Sequence, residues 1–220
     1  MKKLNWKYAL GEILIVIIGI TIAFSMNKCA GESENSAQKQ QYLINLKNDV
    51  AADRERLQQI VVELDRKIET ATRILPILNS DQPDKMKIIG DIFSISTISN
   101  FSAKDITYQT LINSGDLKLI DNFELKTAIE AHYSNYKVMM KDYERQENIH
   151  KQYLGNYFIH HVDYDAFKKG IFGFEDEKLL KNIIQSMNGS FGIKRSATKI
   201  GIESCNQLLL TLSEAIEQEN

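Results

Sequence analysis

Proline is almost missing from this chain: two occur in 220 residues, Pro76 and Pro83. So few breaks exclude a loop-rich architecture and leave room for long helices. Alternating runs of β-branched residues are scarce, which counts against a sheet. Only two cysteines occur, Cys29 and Cys205. Within one chain at most one disulfide can form, and the reading preferred here is a flexible free thiol at Cys29 and a small core residue at Cys205; a bridge within or between chains is the alternative. No excess of positive charge exists: the formal net charge is -2 and the pI about 6.1. With no basic patch, nucleic acid is not expected as a partner. Neither a Gly-x-Gly-x-x-Gly nor a Gly-x-x-x-x-Gly-Lys sequence is present, so no phosphate-cradling loop is expected. No internal repeat or low-complexity tract is found.

Apolar runs are also scarce, with one exception. Tyr8 to Met26 reads YALGEILIVIIGITIAFSM, and Ile13 to Met26 carries no charge. A bilayer-crossing helix needs roughly 20 mostly apolar residues. The span therefore recruits Tyr8 to Glu12 or bends the lipid slightly, and Glu12 lies near the membrane edge, where its carboxylate can reach the headgroups. A buried acid that pairs with a partner span is the functional alternative. Trp6 and Tyr8 fit an interfacial aromatic belt. Lys2, Lys3 and Lys7 precede the span, while Glu32 and Glu34 follow it. The positive-inside rule then keeps the N-terminus in the cytoplasm and exports the rest. The expected location is the inner membrane, because single apolar helices are retained there while barrels populate the outer one. Gly11, Ile15, Gly19 and Ala23 form a mostly small stripe that could pair helices in lipid. A cleaved signal peptide ending near Ala23-Phe24-Ser25 is the rival reading, and a lipoprotein a weaker one. The domain plan is thus a cytoplasmic stretch over 1–7, a transmembrane helix over 8–26, a polar linker over 27–36 and an exported helical bundle over 37–220.

About 190 residues remain beyond the span, enough for one domain with a substantial core. Abundant Leu, Ile, Lys, Glu and Gln make it all-α. From Ala37 to Leu78, Leu43, Val50, Leu57, Leu64, Ala71 and Leu78 recur every seven residues. Leu46, Asp53, Ile60, Lys67 and Ile74 fall on the companion positions. This is a heptad of coiled-coil type with two polar breaks. Those breaks favour packing inside the chain's own bundle over a two-helix seam. A short helix is expected over 86–96. The next should be capped by Ser102, with Asp105 completing a capping box, and stop at Ser114-Gly115. Residues 116–120 should form a docked helical turn. A second long helix should start at Asp121 or Asn122 and reach His160, with Leu125, Ile129, Tyr133, Tyr136, Met140 and Tyr143 inward. The same spacing continues to Glu147, His150, Leu154 and Tyr157. A short helix over 175–187 should break at Asn188-Gly189. A last helix over 191–217 should bury Ile193, Ala197, Ile200, Ser204, Leu208, Leu212 and Ala215. Together these give an elongated antiparallel helical bundle.

The chemistry is sparse. Glu147-x-x-His150 has the Glu-x-x-His spacing of carboxylate-bridged di-metal bundles, which use two copies plus two further glutamates. One copy occurs here. His132, His160 and His161 lack an acid three residues before them, and Glu203 lies off the inward stripe. A single site from His150 with His160 or His161 is the remaining metal option. The preferred reading is a polar Glu147–His150 pair at the bundle's exposed end. No Ser-His-acid or Cys-His constellation stands out. Tyr133, Tyr136, Tyr143 and Tyr157 could line a pocket, though core tyrosines more often put rings inside and hydroxyls at the rim. No catalytic, cofactor-binding or metal residue is assigned, and no cofactor is expected.

Ala9-x-Gly11-Glu12-Ile13 with Gly19-Ile20-x-Ile22-Ala23 resembles the anchor of a family of single-span bacterial membrane proteins of unknown function. Tyr108-x-x-Leu111-x-x-Ser114-Gly115-x-Leu117-x-Leu119-Ile120, followed by Tyr133, is similar to that family's second signature. The two matches bracket residues 8–133. Family members often continue the span with Asn-x-Trp, and Asn27-Lys28-Cys29 departs from that pattern. The resemblance implies a retained anchor and no catalytic residue. The expected function is non-enzymatic: a scaffold or accessory subunit of the cell envelope that binds the bilayer through residues 8–26 and a protein partner, or itself, outside it. The alternative is a ligand-sensing module that signals through a membrane partner, since only about seven residues precede the span.

Overall fold

A computed structural model describes residues 6–81 and 85–218, with side chains from Leu10 onward. Lys2, Lys3 and Pro83 lie outside the described residues, as do the side chains of Trp6, Lys7 and Tyr8. Among the described residues there is no strand, only an isolated bridge between Val162 and Phe174.

One helix, α1, runs unbroken from Trp6 to Ile74, 69 residues, or about 100 Å at 1.5 Å per residue. Every residue from Leu10 to Gln38 on it is exposed. α1 is long and apolar enough near its N-terminus to cross a membrane. The expected helix start at Ala37 is corrected. Asn27 to Ser36 is helical, so the polar linker is a turn-by-turn continuation of the span. Gly31, Ser33 and Asn35 each disfavour helix by only about 1 kcal/mol or less, and a helix already nucleated on both sides propagates through them. Lys28 and Glu32 add a weak pair, 3.8 Å apart, one turn from each other. Pro76 ends the helix, since the residue before a proline disfavours the α conformation.

Beyond the stalk, the heptad seam is buried as expected. Leu43, Leu46, Val50, Leu57, Ile60, Leu64, Ala71, Ile74 and Leu78 all lie in the core, and so do Asp53 and Lys67. A 3₁₀ turn over Lys85–Ile88 leads into α2, Ile89–Ile95. Residues 97–105 are irregular. Their burial alternates, with Ser99 and Phe101 inside and Asn100, Ser102 and Lys104 outside, the mark of an extended chain. Helix α3, Ile106–Ser114, starts after Asp105 without a side-chain cap. Ser102 thus caps nothing; it belongs to the extended segment. Gly115 closes α3 in the left-handed conformation at φ 74°, as a glycine stop should. The docked turn over Asp116–Leu119 follows.

Helix α4, Phe123–Ile149, is capped by Asn122, whose side chain accepts from Leu125 N. It continues through a π turn, His150–Leu154, into α5, Gly155–His160. The inner stripe differs at two places: Met139 and Gln146 are buried where Met140 and Glu147 were expected. After the short α6, Tyr164–Lys168, a single helix α7 spans Glu177–Gln218. Asn188-Gly189 does not break it, because Met187, Ser190 and Phe191 are buried on both sides and packing outweighs local propensity. Its inward stripe is shifted in part. Ala197, Leu208 and Leu212 are buried as expected, and so are Phe191, Lys194, Thr198, Gly201 and Cys205, whereas Ile193 and Ile200 face out.

α7 packs against both α1 and α4. It runs antiparallel to α1, with Arg195 paired to Asp65 and Arg54 donating to Asn206. A Cβ on Gly201 would lie 2.9 Å from Met139 Sδ and 3.3 Å from Leu57 Cδ1, so the glycine lets three helices converge. The end of the bundle farthest from the apolar stretch is closed by an ion pair of Lys85 with Glu177 and by Phe93, Phe158, Phe167 and Phe174.

Candidate functional site: a buried polar network under an extended strap

A helix satisfies its own backbone; an extended chain laid on helices does not. Residues 97–105 are not helical, and their peptide groups need partners from side chains. The breaks in the heptad supply them. Lys67 Nζ donates to Thr97 O at 2.6 Å and to Ser99 Oγ at 3.2 Å. Asp53 accepts from Lys104 N at 3.0 and 3.2 Å through its two oxygens. Arg56, one turn on, donates to Asn100 O at 3.0 Å. From α7, Lys194 Nζ donates to Ser99 O at 2.6 Å and to Gln146 Oε1 at 2.8 Å. Phe101 packs edge-on against Tyr136, 5.2 Å between centroids. Four charged side chains and one ring hold the strap.

Their electrostatics follow from burial. Lys194 is 1% exposed, and burial pushes its pKa down to about 8, helped by the like charge of Lys67. The Tyr143 ring lies 4.0 Å from the ammonium and stabilises it. Lys67 is lowered too, again by burial. Burial pushes Asp53 up to about 6, against the pull of the Lys104 amide and Tyr136 hydroxyl. His132, whose Nδ1 is hydrogen-bonded to Ser204 Oγ at 2.8 Å, is pushed down to about 4 by burial. It is a neutral core histidine at neutral pH.

The Glu147–His150 pair is not formed. Glu147 binds Lys151 at 3.2 Å on the surface, while His150 turns inward at the π turn, its pKa lowered chiefly by burial. His161 stacks on Tyr157, and His160 is exposed. Among the described residues no three metal-ligating side chains converge. The four tyrosines are buried. Tyr136 bonds Cys205 Sγ, Tyr143 bonds Thr198 Oγ1 and Tyr157 donates to Glu175 O. They are core residues with satisfied tips rather than a pocket lining; the exception is the Tyr133 hydroxyl, buried without a partner. Cys205 is buried and Cys29 exposed, both as free thiols.

The open spaces lie elsewhere. A cavity of about 850 Å³ and another of about 490 Å³ adjoin along the α4–α7 groove, sharing Gly189 and Ile193. Sequence reasoning missed Lys194 and Gln146. The available signal was the regular spacing of Phe191, Lys194, Thr198, Gly201 and Cys205, hidden because three of the five are not apolar.

Residues 12–158 match the model of a family of unknown function, DUF6090. No curated protein and no solved structure matches the chain.

Proposed function

The chain belongs to that family, so its role has to be read from its own residues, and we propose that it is a membrane-anchored, exported protein-interaction module. In this reading residues 8–26 cross the inner membrane, the N-terminus stays in the cytoplasm, and the bundle stands outside as a scaffold or accessory subunit without catalysis of its own. The supporting observation is α1. The same unbroken helix carries the apolar stretch, an exposed stalk and the bundle's main seam. The buried charged residues Asp53, Lys67 and Lys194 all bind the strap, which supports a structural role for them.

The test is crosslinking of the full chain in intact cells, followed by affinity purification and mass spectrometry, with a Gly19→Leu control. A defined envelope protein, recovered in proportion to the bait and weakened in the control, supports an accessory subunit. Turnover of small substrates by the purified protein contradicts it. A second reading, ligand sensing, has one observation in its favour: Asp53, Arg56 and Lys67 all sit on α1, so a moved strap would load the helix that enters the membrane. Ligand-induced thermal stabilisation would support that alternative.

A further inference from the structure

The α4–α7 groove has no α1 residue in its lining. Val138 and Ile200, 61% and 67% exposed, stand beside it. The bonds His132–Ser204, Tyr143–Thr198 and Gln146–Lys194 fix an antiparallel register between the two helices. That register sets Val138 level with Ile200, Ile149 level with Gly189, and Asp142 level with Lys199. A Cβ on Gly189 would meet nothing within 4 Å, although a mid-helix glycine costs roughly 1 kcal/mol. Asp142 and Lys199 have no ion-pair partner among the described residues.

We propose that this face pairs with the same face of a second copy. Two copies anchored alike in one bilayer can share only a twofold axis along the membrane normal, which is also the long axis of the bundle. Such an axis sets α7 of the second copy beside α4 and antiparallel to it, at the heights already found within one chain. The result is a four-helix core of alternating direction. In it Val138 covers Ile200 of the second copy, Ile149 fills the space over its Gly189, and Asp142 meets its Lys199. Large faces small at the Gly189 level, and negative faces positive at the Asp142 level. Confinement to one membrane raises the effective concentration for the pairing. This inference rests on the membrane attachment in the proposed function, not on an envelope partner.

The test uses the full chain in membranes, with Cys29→Ser in every form and the buried Cys205 kept. One tagged form carries Val138→Cys and a differently tagged form carries Ile200→Cys. Copper–phenanthroline oxidation of cells expressing both should give a dimer bearing both tags. Either form alone, or Ile200→Cys with Ile106→Cys on α3, should stay at background. Absence of the mixed dimer in folded protein, or a disulfide to a different protein, overturns the pairing. In detergent, the exposed changes Val138→Glu and Ile200→Glu together should weaken the dimer at least tenfold by ultracentrifugation; an unchanged dimer also overturns it. A monomeric chain that still captures an envelope protein removes this inference and leaves the proposed function standing. A dimer that captures no other protein does the reverse.

Discussion

Replacing Asp53 by asparagine removes one buried negative charge and keeps a carbonyl oxygen within reach of the Lys104 amide. Asp53 is 2% exposed, and burial, the largest cause, raises its pKa from 3.8 to about 6. That interval is roughly two pH units, or about 3 kcal/mol at ~1.36 kcal/mol per unit. The folded pKa lies above the unfolded one. The linked stability is therefore fully present below pH 3.8 and is lost as pH rises through about 6. At pH 8 the wild type carries the whole penalty, and asparagine does not titrate. Asparagine keeps only one of the two oxygens that accept from Lys104 N, a loss of roughly 1 kcal/mol. The net expectation is a variant more stable by about 1–2 kcal/mol at pH 8. At pH 4 the advantage should vanish. Denaturant unfolding of the full chain in micelles, followed by circular dichroism at both pH values, measures this. The same gap at pH 8 and pH 4 would refute the reasoning, as would a variant that is less stable at pH 8.

His132 works in the opposite direction: its pKa falls from 6.5 to about 4, so stability present above pH 6.5 should fall by about 3 kcal/mol as pH drops through 4. Asp53 masks part of this loss, and the acid limb of the stability curve should steepen in the Asp53→Asn background and flatten in His132→Gln. Lys194→Met leaves Ser99 O and Gln146 Oε1 without a donor, at about 1–3 kcal/mol each, while relief of the buried ammonium returns about 3 kcal/mol. Global stability should thus change by less than about 3 kcal/mol, yet amide exchange over 99–104 should quicken while α7 keeps its protection. Gly201→Val should destabilise by about 1–3 kcal/mol through overpacking against Met139 and Leu57. Gly189→Ala, with nothing near its Cβ within one chain, should stabilise the monomer by about 0.5–1 kcal/mol; thermal melts of detergent-dispersed monomer separate the two.

The α1 seam was legible because eleven positions obey one period and only two are polar. The same two, Asp53 and Lys67, already pointed to packing inside the bundle, but not to what they hold. Their partners are main-chain atoms of residues 97–105, and no side-chain pattern reports where a backbone will lie. On α7 the apolar residues misled. Ile193 and Ile200 form a regular pair, yet the buried turns carry Lys194, Thr198 and Gly201, chosen for hydrogen bonding and close approach rather than hydrophobicity. The expected breaks at Asn27–Ser36 and Asn188-Gly189 failed for a shared reason. Local propensity is worth about 1 kcal/mol per residue, and a helix with strong packing or apolar sequence on both sides overrides it. Gly115 and Asn122 were readable because a helix stop and an N-cap are local chemistry.

Cys29 offers the most direct test of the central claim, that α1 carries the bundle out of the cytoplasm. It is exposed three residues beyond Met26, and Cys205, the other thiol, is buried. Labelling spheroplasts with a membrane-impermeant maleimide before lysis should modify the wild-type chain and leave Cys29→Ser unmodified. Modification of Cys29 only after the membrane is permeabilised would place the bundle on the cytoplasmic side and contradict the account.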